Sequence, residues 1–107
     1  MRAVIGLFSQ ADQAREALDS FAIFRNARER IRVLAHQDDA ETFDRVMSDY
    51  NVQVNNVEQH GGRTLLVLNV VSTADVNRAR DLMVAHGALT VLSRSRVWPD
   101  APVIQLD

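Results

Sequence analysis

The sequence predicts an α+β fold, and three observations carry that expectation. Two strand–helix–strand units share one short chain, both helices follow a Ser-x-Ala-Asp start, and one strand is apolar on both faces. With 107 residues the chain fits one domain and is long enough to bury a real core. Two βαβ units in so small a domain suggest a ferredoxin-like βαβ-βαβ sandwich, an antiparallel sheet with two helices on one face. A further helix, Asp38 to Tyr50, is inserted between the halves.

The first unit opens with "AVIGLF", Ala3 to Phe8, a short apolar run with β-branched content that reads as a buried strand. "SQADQAREALDSF" follows, with Ala14, Ala17, Leu18 and Phe21 at helical spacing. Ser9 with Asp12 forms a variant of the capping box, and Asp12 suits the positive end of the helix dipole. "IRVLA", Ile31 to Ala35, is the second strand. The intervening "AIFRNARER" fits either a continued helix or a loop.

"DDAETFDRVMSDY" is helical by pattern, with Asp38 as cap, Glu41 three places on, and Phe43, Val46, Met47 and Tyr50 at spacings of three to four. "NVQVNNVEQ" supports two readings. Val52 and Val54 alternate like a strand, whereas Val54 and Val57 are spaced like a helix. After Gly61 and Gly62, "RTLLVLNVV" is the clearest strand in the chain. "STADVNRARDLMVAHG" is a clear helix, capped by Ser72 with Asp75 and closed by Gly87. "ALTVLSRSRVW" supplies the last strand. The expected domain is therefore residues 1–98, and 99–107 form a tail whose prolines speak against regular structure.

In "TLLVLNVV", Leu66, Leu68 and Val70 lie on one side and Leu65, Val67 and Val71 on the other. A strand wet on one face should alternate, so this one is covered twice. Two main helices cover one face. The second cover is the inserted helix, the tail with Trp98, or another subunit, and a homodimer through the sheet face is the favoured expectation.

Composition excludes several functions. A net charge of −2 with no lysine argues against nucleic acid as partner and rules out a Schiff-base or P-loop lysine. No cysteine is present, so disulfides and thiol chemistry are excluded. No apolar run reaches the ~18 residues of a membrane span, and "MRAVIGLF" running into "SQADQ" lacks the design of a signal peptide. A cytoplasmic protein without membrane contact is expected. RNA recognition through the sheet needs aromatics on the central strands, and only Phe8 is offered.

The candidate chemistry is thin. His36 begins "HQDD" but lacks a partner at metal-ligand spacing, and His86 before Gly87 suits a helix C-terminus. His60 before the glycines has no fixed partner. Arg94 and Arg96 alternate, share a face, and suit bidentate binding of a carboxylate or phosphate. Ser9 and Ser72 mark mouths between a strand end and a helix start, where a small anion binds. The ligand candidates are therefore Ser9, Ser72, Arg94, Arg96 and His60, with no catalytic residue, metal or cofactor assigned.

"GGRTLLVLNV" with "STADVNRARDLMVAHGALTV" resembles the C-terminal part of the bacterial heat-induced general stress protein domain. There a Gly-Gly leads an apolar strand, an acidic-capped helix and a His-Gly-Ala exit. "AVIGLFSQADQAREALDSF" is similar to that family's opening strand and helix, and "IRVLA" to its second strand. The chain departs from it in lacking a long Gly/Ala-rich middle segment. The resemblance implies a helix before Gly61, the fold and a stress context, with no catalytic residue to carry over. The expected function is that of a small non-enzymatic cytoplasmic protein acting through self-association or protein contacts. Two alternatives stand beside it: a regulatory module sensing a small anion, and a small dimeric α+β barrel enzyme with His36 or His60 in a pocket.

Overall fold

A computed structural model describes residues 1–24, 27–52 and 63–106, the Arg28 side chain excepted. Strand β1 (Arg2–Phe8) leads into helix α1 (Ala11–Ser20), a short 3₁₀ turn (Phe21–Ile23), the one-turn α2 (Ala27–Arg30) and β2 (Arg32–Ala35). Helix α3 (Ala40–Asp49) follows, then β3 (Thr64–Val70), α4 (Thr73–Ala85), β4 (Thr90–Arg94) and the two-residue β5 (Val103–Ile104). In the described part of the stretch after Phe21, which omits Arg25 and Asn26, a 3₁₀ turn and a one-turn helix stand where the pattern allows a continued helix or a loop. Of "NVQVNNVEQ", only Asn51 and Val52 fall among the described residues.

The sheet order is β2-β3-β1-β4, with β1 antiparallel to β3 and β4, and β2 antiparallel to β3. β1 and β2 are consequently parallel with β3 between them, and β3 and β4 are parallel with β1 between them. The two strand–helix–strand units interleave. This α+β order is consistent with the expected sandwich. β1 and β3 fill the centre, which explains their apolar runs: six of the seven residues of β1 and all seven of β3 are buried.

One face packs on α1 and α4. Val4, Phe8, Leu66, Leu68 and Val70 meet Ala14 and Ala17 of α1, and Val76, Ala79 and Met83 of α4. Gly6 belongs to the same face, and a methyl group there would run into Met83 Sδ, so its missing side chain lets α4 sit close. The end of α4 is a Schellman turn. Gly87 has φ +88°, its N–H donates to Val84 O (3.0 Å), and Ala88 N–H donates to Met83 O (3.1 Å).

The other face carries Ala3, Ile5, Leu7, Leu65 and Val67, and here α3 corrects the expectation of a second copy. Phe43, Val46 and Tyr50 of α3 pack onto these residues, with Trp98 at the margin. Ile5, Leu7, Leu65 and Val67 are fully buried within the chain, so the centre of this face has nothing left for a partner subunit to cover. Each such side chain stabilises the layer by about 1.5–3 kcal/mol.

Two helix starts differ from expectation. The N-cap of α3 is Asp39, not Asp38: Asp39 Oδ1 accepts from Thr42 N–H (3.0 Å) and Oδ2 from the Thr42 hydroxyl (2.7 Å). Asp38 is held in the turn that closes β2, its N–H donating to Ala35 O (3.0 Å). At α1 the N-cap is Gln10, and Ser9 donates its hydroxyl to Gln13 Oε1 (2.9 Å). β1 runs to Phe8, which leaves Ser9 one residue outside the cap position. The Ser-x-Ala-Asp echo therefore works as a cap only at α4, where Ser72 Oγ accepts from Asp75 N–H (3.2 Å).

The residues after Trp98 are also more ordered than their prolines suggest. Val103 and Ile104 pair parallel with Asn69 and Val70 of β3, beyond the end of short β2. Ile104 and Leu106 join the core beneath α1 and α4. Pro99 and Pro102 both precede β5 and remove no ladder hydrogen bond from it.

Candidate functional site

A groove of about 520 Å³ opens between the end of α3 and the connection from β4 to β5. Arg45, Asp49 and Tyr50 line one side, and Arg96, Val97, Trp98, Pro99 and Asp100 the other. Both walls are anchored by the sheet.

The helical wall ends in a second Schellman turn, with Asn51 at φ +52° in the left-handed position. Asn51 N–H donates to Ser48 O (3.1 Å), and Val52 N–H donates to Met47 O (2.9 Å). Val52 is buried in the second core cluster, which ties this helix end to the sheet. Two arginines then reach the carbonyls at the helix end. Arg94 Nε donates to Tyr50 O (3.2 Å), and Arg96 Nη2 donates to Asp49 O (3.0 Å). Their positive charges meet the negative end of the α3 dipole. The Arg96 guanidinium also lies 5.2 Å from the centre of the Tyr50 ring, a cation–π contact. Burial is the main reason that the Tyr50 phenol is pushed up from its ordinary value; the hydrogen bond and charge of Arg96 act in the opposite direction.

The opposite wall hangs on one residue. Asn69, fully buried in β3 on the α3 side, donates through Nδ2 to Trp98 O (2.7 Å) and Ala101 O (2.9 Å). Its Oδ1 accepts from Trp98 N–H (2.8 Å). Those bonds, with Ala101 N–H donating to Trp98 O (3.3 Å), fix a turn that holds Trp98 over the second core cluster.

Of the expected site residues, the structure brings Arg94 and Arg96 together at the α3 end, where both are committed to helix carbonyls. Ser72 lies at the same end of the sheet but at the start of α4, on the other face, and acts as a cap. Ser9 is at the opposite end, because Phe8 pairs with Thr64 whereas Arg2 pairs with Val70. His60 lies outside the described residues. His36 stands edge-on to Phe43 (5.1 Å between ring centres), with Nε2 3.7 Å from Asp44 Oδ1. His86 occupies the C-cap position of α4. Neither of these two lines the groove, and no group of three or more metal-ligating side chains gathers among the described residues.

Sequence reasoning passed over Asn69, Tyr50 and Arg45. Asn69 carried a signal, as the one amide in a strand apolar on both faces. Asp75, expected only as part of the α4 start, is 1% exposed in the first turn of α4, and its Oδ1 has no hydrogen-bond partner among the described residues. Comparison of the chain with protein-family models, curated proteins and solved structures finds no match.

Proposed function

We propose that the chain is a ligand-binding module of ferredoxin-like topology, working through the groove beside the α3 end. The carrying observation is the lining itself. Two aromatic side chains and two guanidinium groups border a concave space of a size usual for small-molecule sites. Asn69 and the capped end of α3 support it from behind, and sites on such fixed walls lose little freedom on binding. This reading keeps the expected sensing role and Arg96, and moves the site away from Ser9 and Ser72. A thermal-shift screen tests it, because a ligand that binds only the folded chain raises the melting temperature. Stabilisation should appear with a small set of metabolites and weaken in Arg45→Gln, whose side chain stands on the exposed face of α3. A flat response across amino acids, carboxylates and nucleotides refutes it.

A second reading, a stress-related protein acting through self-association, draws on the likeness to general stress proteins. It also draws on β4, whose described pairing is with β1 alone. Sedimentation that gives one chain per particle at micromolar concentration counts against it.

A further inference from the structure

We infer that the groove takes a zwitterion, specifically an α-amino acid with a flat side chain. The inference rests on the binding reading above and goes further by naming the ligand class. The ionised groups of the lining are Arg45 and Arg96 against Asp49 and Asp100, so their formal charges cancel. Phosphate or a plain carboxylate would meet two carboxylates along with the two guanidiniums, and like charges brought together in a partly desolvated space oppose binding. A ligand carrying both signs satisfies both pairs.

The groups are available for that work. Arg96 spends one N–H on Asp49 O, while a guanidinium offers five donors in a fork that matches a carboxylate. Arg45 is engaged with Glu41 (3.1 Å) in an exposed i,i+4 pair, a weak contact that a ligand carboxylate readily replaces. Asp49 and Asp100 are exposed acceptors suited to an ammonium group. Trp98, half-buried at the lining, presents flat apolar area on which a planar side chain packs, while Tyr50, 3% exposed beneath the Arg96 guanidinium, backs that wall.

Trp98 is the sole tryptophan, so its emission reports on the groove directly. The probes are L-phenylalanine, 3-phenylpropionate, phenethylamine and inorganic phosphate, titrated against the full chain by fluorescence and calorimetry. L-Phenylalanine should shift Trp98 emission saturably, with each single-charge analogue weaker by about tenfold, the effect of one lost charge-assisted pair. Arg45→Gln and Asp100→Asn, both surface substitutions checked by circular dichroism, should each weaken L-phenylalanine by a similar factor. If 3-phenylpropionate or phosphate binds as tightly as L-phenylalanine, the zwitterion inference falls and the binding reading stands. If L-phenylalanine binds equally well to both variants, its site is not this groove and the inference falls. Silence from all four probes, with other flat amino acids silent too, overturns the inference; the binding reading then falls only if the wider metabolite screen is also flat.

Discussion

Asn69→Leu removes the clamp on the groove wall while keeping a side chain of similar size on β3. Three hydrogen bonds disappear, of 2.7, 2.9 and 2.8 Å, and each contributes about 0.5–1.5 kcal/mol net. The partners are backbone groups of Trp98 and Ala101 that must find water once the amide is gone. If the turn stays in place, those groups are left poorly satisfied, at about 1–3 kcal/mol for each that remains buried. If the turn swings out, Trp98 leaves the second core cluster and apolar contact is lost instead. A leucine recovers some transfer energy in a fully buried position, so the two routes converge on a net loss of about 3 kcal/mol. For a domain of this size that lowers the melting temperature by more than about 10 °C.

The assay is urea unfolding followed in parallel by far-ultraviolet circular dichroism and by Trp98 emission. In the parent chain the two transitions should coincide. In Asn69→Leu the emission should already be red-shifted without denaturant, because the turn opens before the sheet does. Asn69→Asp keeps the acceptor for Trp98 N–H, loses both donors and brings two carbonyls against a carboxylate, so it should be no more stable than the leucine variant. A leucine variant as stable as the parent, with unchanged emission, refutes the clamp.

Other perturbations test the layers separately. Gly6→Ala should destabilise by about 1 kcal/mol or more, the usual cost of overpacking. Pairing it with Met83→Ala should cost less than the sum of the two changes, because the new methyl fills space vacated at Met83, and a chemical-denaturation cycle reads the difference. Ser72→Ala should cost about 1 kcal/mol as a lost N-cap, against a few tenths for Ser9→Ala, whose hydroxyl caps no helix. Equal losses at the two serines would mean that the echo works at both helix starts after all. Tyr50 is the sole tyrosine and should titrate above the usual ~10, as followed by phenolate absorbance. Folding holds that proton more tightly, so stability is intact below the ordinary value and declines as pH rises through it; Arg96→Gln should push the phenol higher still.

The architecture was legible because it is written in period and punctuation. Runs such as Leu65–Val70 announce a doubly covered strand, and Gly87 and Ser72 announce helix ends, since each depends on neighbours within a few residues. The cap of α3 shifts by one because two adjacent aspartates are equally good caps; Ala35 O accepts from both of their N–H groups, and α3 begins at Ala40, one residue after Asp39. The site was not legible for a related reason. Asn69 meets Trp98 and Ala101 across some thirty residues, and Arg96 meets Asp49 O across forty-seven. No local pattern encodes such pairings. Arg94 and Arg96 looked like a free anion clamp because their partners are backbone carbonyls, which a sequence does not display. β5 escaped notice because two residues beside two prolines carry no periodicity, and pairing with the exposed flank of β3 supplies the order instead.

The place of the groove follows from how the second face is covered. A four-stranded antiparallel sheet can leave one face wet, but β1 and β3 are apolar on both faces and cannot. Among the described residues the main cover is α3, ten residues and therefore about 15 Å long, over seven-residue strands of about 23 Å. One short helix leaves part of that face unroofed. Among the described residues the turn carrying Trp98 adds cover at the margin, held by Asn69, the one polar residue that β3 buries on that side among leucine and valine. Two separate covers meet in a seam, and a seam roofed by a helix end and a turn is concave. Arg96 lines it and Arg94 stands behind, because β4 ends beside the α3 carbonyls and brings both side chains to them. The same contacts that cover this face from within the chain therefore leave a lined recess at its margin. Anything filling that recess touches both covers at once, so it should tighten the Trp98 turn and the α3 end together.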